Sequence, residues 1–278
     1  PSAHKGPHQG VENEVAVLGT MHLASLPETF DSSSLAPLID RLAAWQPQAI
    51  AIEVVSGQQC DTMRRYPARY ALTVNDYCPD LSAAAKATGL DVAAANAAAD
   101  TMLATWPAQP TAAQRRELAA KFLAGGEPES ALVQWLRLPA AERRADGSLN
   151  QELVAILEEQ RTSRNETTLI AAQLAVRLGH ERLWPTDDHS ADRYGPNPKA
   201  YVAAIRKAWD NPASKRRAAM YSGLEAQLDT PENALAMYRR DNRPDVAPAA
   251  FESDYGANLE EPSPEGYGRM YVTAWETR

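Results

Sequence analysis

Two short apolar runs, each delivering a titratable side chain, constrain the fold of this chain more than any other feature. The first is Val15-Ala-Val-Leu-Gly-Thr-Met-His22, which ends in a glycine turn and a histidine. The second, Ala49-Ile-Ala-Ile-Glu-Val-Val55, carries Glu53. Between them, Asp31-Ser-Ser-Ser34 offers helix N-caps, and Leu35, Leu38, Ile39, Leu42 and Trp45 follow at one-sided helical spacing before Pro47. Strand 15–18, helix and strand 49–55 together read as a parallel βαβ unit. In such sheets ligands bind outside the carboxyl ends of the strands, where His22 and Glu53 are expected to arrive.

The remaining pattern is mostly helical. From about 58 to 145 no strand signal occurs. Alanine-rich helices are expected at Ser82–Thr88 and Asp91–Trp106, and Thr111 with Gln114 fits a capping box. Gly125-Gly126 ends that helix. A long helix over 149–178, broken near Thr162, precedes Gly179, placed as a C′ glycine. Leu183-Trp-Pro-Thr-Asp187 reads as a further short strand, although Pro185 removes a ladder donor. Helix follows over 198–240, with Thr230-Pro231-Glu232 as a start signal. Residues 241–268 read as loop, and Tyr271–Arg278 as the first turns of another helix. The expected fold class is α/β: a mostly parallel central sheet with βαβ units, and a large helical insertion (about 58–145) over its carboxyl edge. Residues 1–12, polar and beginning with Pro1, are expected to be a disordered leader before a single domain over 13–278.

Charge and composition narrow the function. A net charge of −8 argues against a nucleic-acid backbone as partner, which needs a basic face. No run approaches the roughly 18 apolar residues of a transmembrane helix. Cys60 and Cys78 either pair in an oxidising compartment or stand as two free thiols, and their spacing fits no zinc pattern. Phosphate-loop, dinucleotide-glycine, Gly-x-Ser-x-Gly and His-Glu-x-x-His motifs are all absent.

The candidate chemistry is therefore carried by scattered residues. His22 suits a general base, a metal ligand or a haem ligand. Glu53, inside an apolar strand, is expected to be largely buried and so to require a partner. Glu166 continues the row Ile170, Leu174 and Leu178 at steps of four, as a carboxylate leading an apolar helix face. The competing reading of Glu166 is an acid at a solvated helix start, favoured by the dipole. Asp187-Asp188-His189 at a strand end suits a divalent metal or an oriented base, and equally a polar loop.

Leu18-Gly-Thr-Met-His22, Gln46-Pro-Gln-Ala-Ile-Ala-Ile-Glu53, Arg164-Asn-Glu166 and the stretch Leu174 to Asp188 together resemble the TraB/PrgY/GumN group. That group belongs with the erythromycin-esterase-like and ChaN-like superfamily, and the likeness is to a bacterial branch of unknown function. The resemblance spans most of 15–190, with a weaker echo at 268–278. It implies an α/β core with a cleft at the sheet's carboxyl edge. Similar proteins include Tiki-type metal-dependent proteases, macrolide esterases that activate water with histidine and glutamate, and ChaN-like haem binders. By this likeness His22 corresponds to the first Gly-x-x-His histidine, Glu53 to the strand glutamate and Arg164 to the helix arginine. Such proteins carry a second glycine-histidine motif after an arginine-asparagine helix. Tyr271–Arg278 is similar to the start of that helix, and no Gly-x-x-His follows, which implies either a truncated chain or an incomplete site.

The expected activity is hydrolysis of a peptide or ester bond in a small-molecule or peptide substrate. Catalysis would fall to His22, Glu53, Arg164 and Glu166. A divalent metal (Mn, Co, Zn or Fe) would sit among His22, Glu53, Asp187 and His189. The alternative is a haem- or small-ligand-binding protein of ChaN type. The expected location is the bacterial periplasm or outside the cell, with the cytoplasm as the alternative.

Overall fold

The computed structural model describes residues 10, 13–26, 30–221 and 230–277. Apart from Gly10, the expected leader lies outside the described residues up to Asn13. The elements in order are α1 (Ala36–Trp45), β1 (Ala51–Val55), α2 (Gly57–Arg64), α3 (Pro67–Tyr77), α4 (Ser82–Thr88), α5 (Val92–Ala104), α6 (Ala112–Ala124) and α7 (Pro128–Leu136). There follow α8 (Gln151–Thr162), α9 (Ala172–Leu178), β2 (Trp184–Asp187), α10 (Pro198–Trp209), α11 (Pro212–Tyr221), α12 (Pro231–Asp241), α13 (Val246–Phe251), α14 (Ala257–Leu259) and α15 (Tyr267–Thr277). Among the described residues no helix is long and apolar enough to cross a membrane.

The described residues are mostly helical, with one parallel pair of strands. β1 and β2 pair with Ala51 opposite Trp184, Ile52 opposite Pro185 and Val55 opposite Asp187. Pro185 is tolerated because a strand with one neighbour needs only one row of donors. The expected strand at 15–18 does not form. These residues pair with no strand, and Val15 and Val17 are 80% and 89% exposed. β1 buries only one face at its start. Ile52 is buried, whereas Ala51 and Glu53 are exposed. The expectation of a largely buried Glu53 is therefore overturned: an isolated pair of strands has no second layer to cover both faces.

The helices of 58–145 are more than a cover over a sheet edge. Leu118, Phe122, Leu132 and Trp135 of α6 and α7 are fully or almost fully buried. They share one core with Leu153 and Leu157 of α8, Ala172 and Ala175 of α9, Ile52 and Leu183. The expected starts and stops of these helices are present. Thr111 and Gln114 form a reciprocal capping box, Asp91 caps α5, and Gly179 ends α9 at φ +78°. The expected loop at 241–268 is largely helical instead, with α13, a π-helical turn at Glu252–Gly256 and α14 in sequence.

Charges pass through this core and are matched there. Arg115 of α6 is buried and donates to Gln134 Oε1 (2.7 Å) and Glu181 Oε2 (2.8 Å). Arg182 donates to both oxygens of Glu127 (2.8 and 2.9 Å), and Gln134 Nε2 donates to the Glu181 carbonyl (2.7 Å). Glu181 and Arg182 thus fasten the connection into β2 onto α6 and α7. Burial pushes the Glu127 carboxyl up, and Arg182 acts against that rise. Breaking one partner of such a pair leaves a buried charge uncompensated, typically about 3–5 kcal/mol.

Two further restraints hold the carboxyl end of β1. Cys60 of α2 and Cys78 after α3 form a disulfide, which resolves the two readings of these cysteines. The bridge spans 18 residues, a loop whose closure is worth about 3 kcal/mol. Gly57, at the start of α2, meets the glycine corner between α6 and α7. A Cβ on Gly57 would lie 1.8 Å from the Gly125 carbonyl oxygen, and one on Gly126 would lie 2.6 Å from Gly57 Cα. Asn96 of α5 donates to the same Gly125 carbonyl at 2.9 Å.

Gly57→Ala is therefore expected to destabilise the protein by about 3 kcal/mol, at the upper end of overpacking costs. Gly89→Ala, where φ is +70° but nothing lies within 4 Å, should cost about 1–2 kcal/mol from backbone strain alone. Chemical denaturation of both variants checks the order, and equal or reversed losses would contradict it.

Candidate functional site

The Gly19-to-His22 turn is held by α12 and by the segment before α9. Gly19 N donates to Asn242 Oδ1 at 2.6 Å, and Asn242 Nδ2 donates back to the Gly19 carbonyl at 2.9 Å. The side-chain amide thus replaces the strand neighbour that this segment lacks. A Cβ on Gly19 would lie 3.2 Å from Asn242 Oδ1, so the glycine admits a close approach. Below the turn, Leu23 and Leu26 pack with Leu35, Leu38, Ile170, Ala234, Met237 and Tyr238. This small apolar cluster joins α1, α12 and the segment after Glu166.

His22 stands at the edge of the cluster, where it caps the 3₁₀ turn Leu23–Ser25. Its side chain is 87% exposed. Its Nδ1 lies 3.2 Å from Glu166 Oε1, while Leu23 N donates to Glu166 Oε2 at 3.3 Å. An ionised carboxylate only accepts, so a neutral ring in this contact carries its proton on Nδ1 and its lone pair on Nε2. Both oxygens of Glu166 are thereby used to set one ring. A histidine and a carboxylate in such contact have the chemistry that general-base catalysis requires.

Glu166 is positioned by an irregular helix. Asn165 Oδ1 accepts from Thr168 N at 2.7 Å, and Asn165 Nδ2 donates to Ser163 Oγ at 3.0 Å. A π-helical turn, Thr167–Ala171, begins directly after Glu166. Such turns are rare and recur at functional sites. Arg164, two residues earlier, is half-buried. Tyr238, buried beneath, has a hydroxyl without a hydrogen-bond partner among the described residues. Burial pushes its phenol up, and the carboxylates of Glu166 and Asp241 add to the rise. Asn242 and Tyr238 carried no sequence signal, because both occupy ordinary positions at the end of an amphipathic helix.

Asp187 and His189 form a second cluster at the end of β2. His189 is fully buried. Its Nε2 lies 2.7 Å from Asp187 Oδ2 and its Nδ1 lies 2.8 Å from Asp192 Oδ2. Its ring packs on Tyr77 at a centroid distance of 4.0 Å. Gln59 of α2 clamps the same loop, donating to Asp188 Oδ1 (2.6 Å) and accepting from His189 N (3.0 Å). Both ring nitrogens are thus engaged by carboxyl groups, and His189 closes the loop with neither nitrogen left for another ligand.

Of the expected site residues, the structure brings together His22 with Glu166, and Asp187 with His189. Glu53 stands exposed on β1, and its carboxylate makes no hydrogen bond or ion pair among the described residues. Among those residues no three side chains of His, Cys, Asp or Glu gather as a group that would hold a metal ion.

His189→Ala would leave Asp187 and Asp192 buried without their shared partner. The expected cost is about 3–5 kcal/mol, measured by denaturant unfolding. A loss below about 1 kcal/mol would show that the cluster is not a structural clamp. Comparison with protein-family models, with curated proteins and with solved structures finds no match to this chain.

Proposed function

We propose that the protein is a hydrolase in which His22, oriented by Glu166, activates water against an ester or peptide bond. The observation that carries this reading is the bridging Glu166 carboxylate, which lies against Nδ1 and the Leu23 N–H while the His22 side chain is 87% exposed. In the proposed reaction Nε2 takes a proton from water as the water oxygen attacks the carbonyl carbon. Glu166 stabilises the imidazolium that forms. The proton then passes to the leaving alcohol or amine as the tetrahedral intermediate collapses. Arg164, on the same segment as Glu166, is assigned to the developing oxyanion. Glu53 and a divalent metal are not needed in these steps, which are written for protein groups and water.

The likeness of the Gly-Thr-Met-His, strand-glutamate and Arg-Asn-Glu segments to the TraB/PrgY/GumN group supports the same reaction class. Membership of that group, a small-molecule or peptide substrate, and the finer fold of a central parallel sheet with βαβ units belong to this proposal. So does export to the bacterial periplasm or the exterior, which the Cys60–Cys78 disulfide supports because such bonds persist in oxidising compartments.

A panel of chromogenic esters and peptides tests the reading. Wild type should hydrolyse at least one. His22→Ala should lower kcat/KM by about 10²–10⁴-fold, the usual contribution of a positioned base. Glu166→Gln should lower kcat with little change in KM. Hydrolysis unchanged in His22→Ala would overturn the assignment. A Soret band on haem addition, lost in His22→Ala without any hydrolysis, would favour the ligand-binding alternative.

A further inference from the structure

A cavity of about 510 Å³ opens beside the loop after β2, and its lining shares no residue with the His22–Glu166 pair. Three arginines from three elements face it: Arg69 of α3, Arg193 of the β2–α10 loop and Arg269 of α15. One acid, Glu265, lines the same cavity, and Met270 and Ala191 supply apolar wall. Its size falls within the usual range for small-ligand sites.

The walls are fixed by contacts that do not consume the charges. Tyr70 Oη and Arg69 Nη2 both donate to the Ser190 carbonyl at 2.7 Å, which ties the loop to α3. The Arg69 guanidinium also lies over the Tyr70 ring, 4.8 Å from its centroid. Gly195, at φ +66°, brings the far end of the loop against α15. A Cβ there would lie 3.1 Å from Tyr267 Cε1. Tyr194, Tyr201 and Tyr267 continue this junction edge to face. The buried Asp187–His189–Asp192 clamp holds the loop from below.

The charges themselves are left unpaired. Among the described residues, Arg193 and Arg269 make no hydrogen bond or ion pair through their side chains, and Glu265 makes none. Three arginines against one glutamate leave two positive charges uncompensated in a chain whose net charge is −8. Like charges gathered in a concave site focus a field that attracts the opposite sign. Arginine's planar fork of five donors matches carboxylate and phosphate oxygens bidentately.

We propose that this cavity binds a small oxyanion carrying at least two negative charges, of the phosphate or polycarboxylate class, held by Arg193 and Arg269 with Arg69 at the wall. Glu265 weakens the site for anions and tunes it toward ligands that also carry a hydroxyl or ammonium donor.

Isothermal titration at low ionic strength with pyrophosphate and, separately, with citrate tests the proposal and distinguishes the two sources. Wild type should bind at least one with saturable one-to-one stoichiometry. The double variant R193Q/R269Q should weaken it by about tenfold or more, roughly 1.4 kcal/mol. Glu265→Gln should tighten it. The double variant K199Q/R206Q removes the same charge from exposed positions on α10 and should bind as wild type does. All four arginine and lysine positions are exposed, so circular dichroism should show the fold retained in both double variants. No saturable binding of either anion, unchanged binding in R193Q/R269Q, or equal loss in both double variants would overturn the proposal.

Discussion

Among the described residues, the backbones of Gly57 and the Gly125-Gly126 corner meet with no room for a side chain between them. Two parallel strands alone cannot bury enough surface to stand, so β1 must be fastened to something else. Gly57 follows β1 after one residue, and Gly125-Gly126 joins the two most deeply buried helices. Bringing these backbones within van der Waals reach places Ile52 in the helical core and sets the direction in which α2 departs. The disulfide then holds α2 to α3, and Gln59 of α2 reaches the loop after β2.

A different balance governs His22. Its ring is exposed and its contact with Glu166 is 3.2 Å long, so the pair adds little to stability. What the carboxylate supplies is orientation, because its second oxygen is already occupied by Leu23 N. The apolar cluster beneath and the Asn242 amide hold the turn that carries the ring. His189 shows the opposite case. It has two carboxylate neighbours, full burial and an aromatic lid, which makes it a clamp for the loop that bears Arg193.

Much of this was legible in the sequence where local chemistry decides the outcome. The capping box at Thr111, the cap at Asp91, the stop at Gly179 and the two strands near 51–55 and 184–187 depend on neighbouring residues, and they appear as read. The strand at 15–18 has the right composition, but a strand exists only where a neighbour accepts its hydrogen bonds. Here the side chain of Asn242, more than two hundred residues away, takes that place for Gly19 alone. Glu53 fails for a different reason: its alternating strand has one covered face instead of two. Glu166 is legible as the head of an apolar row, although the row itself begins with a π-helical turn that no spacing rule encodes. The three-arginine cavity was invisible, since its members come from segments with no common motif.

If Glu166 fixes the tautomer of His22, nitrogen-15 NMR of the His22 ring reads it out. With the ring neutral, the proton should sit on Nδ1 with Nε2 unprotonated, and that proportion should fall in Glu166→Gln. A ring protonated on Nε2 in the wild type, or a tautomer ratio unchanged in the variant, would contradict it.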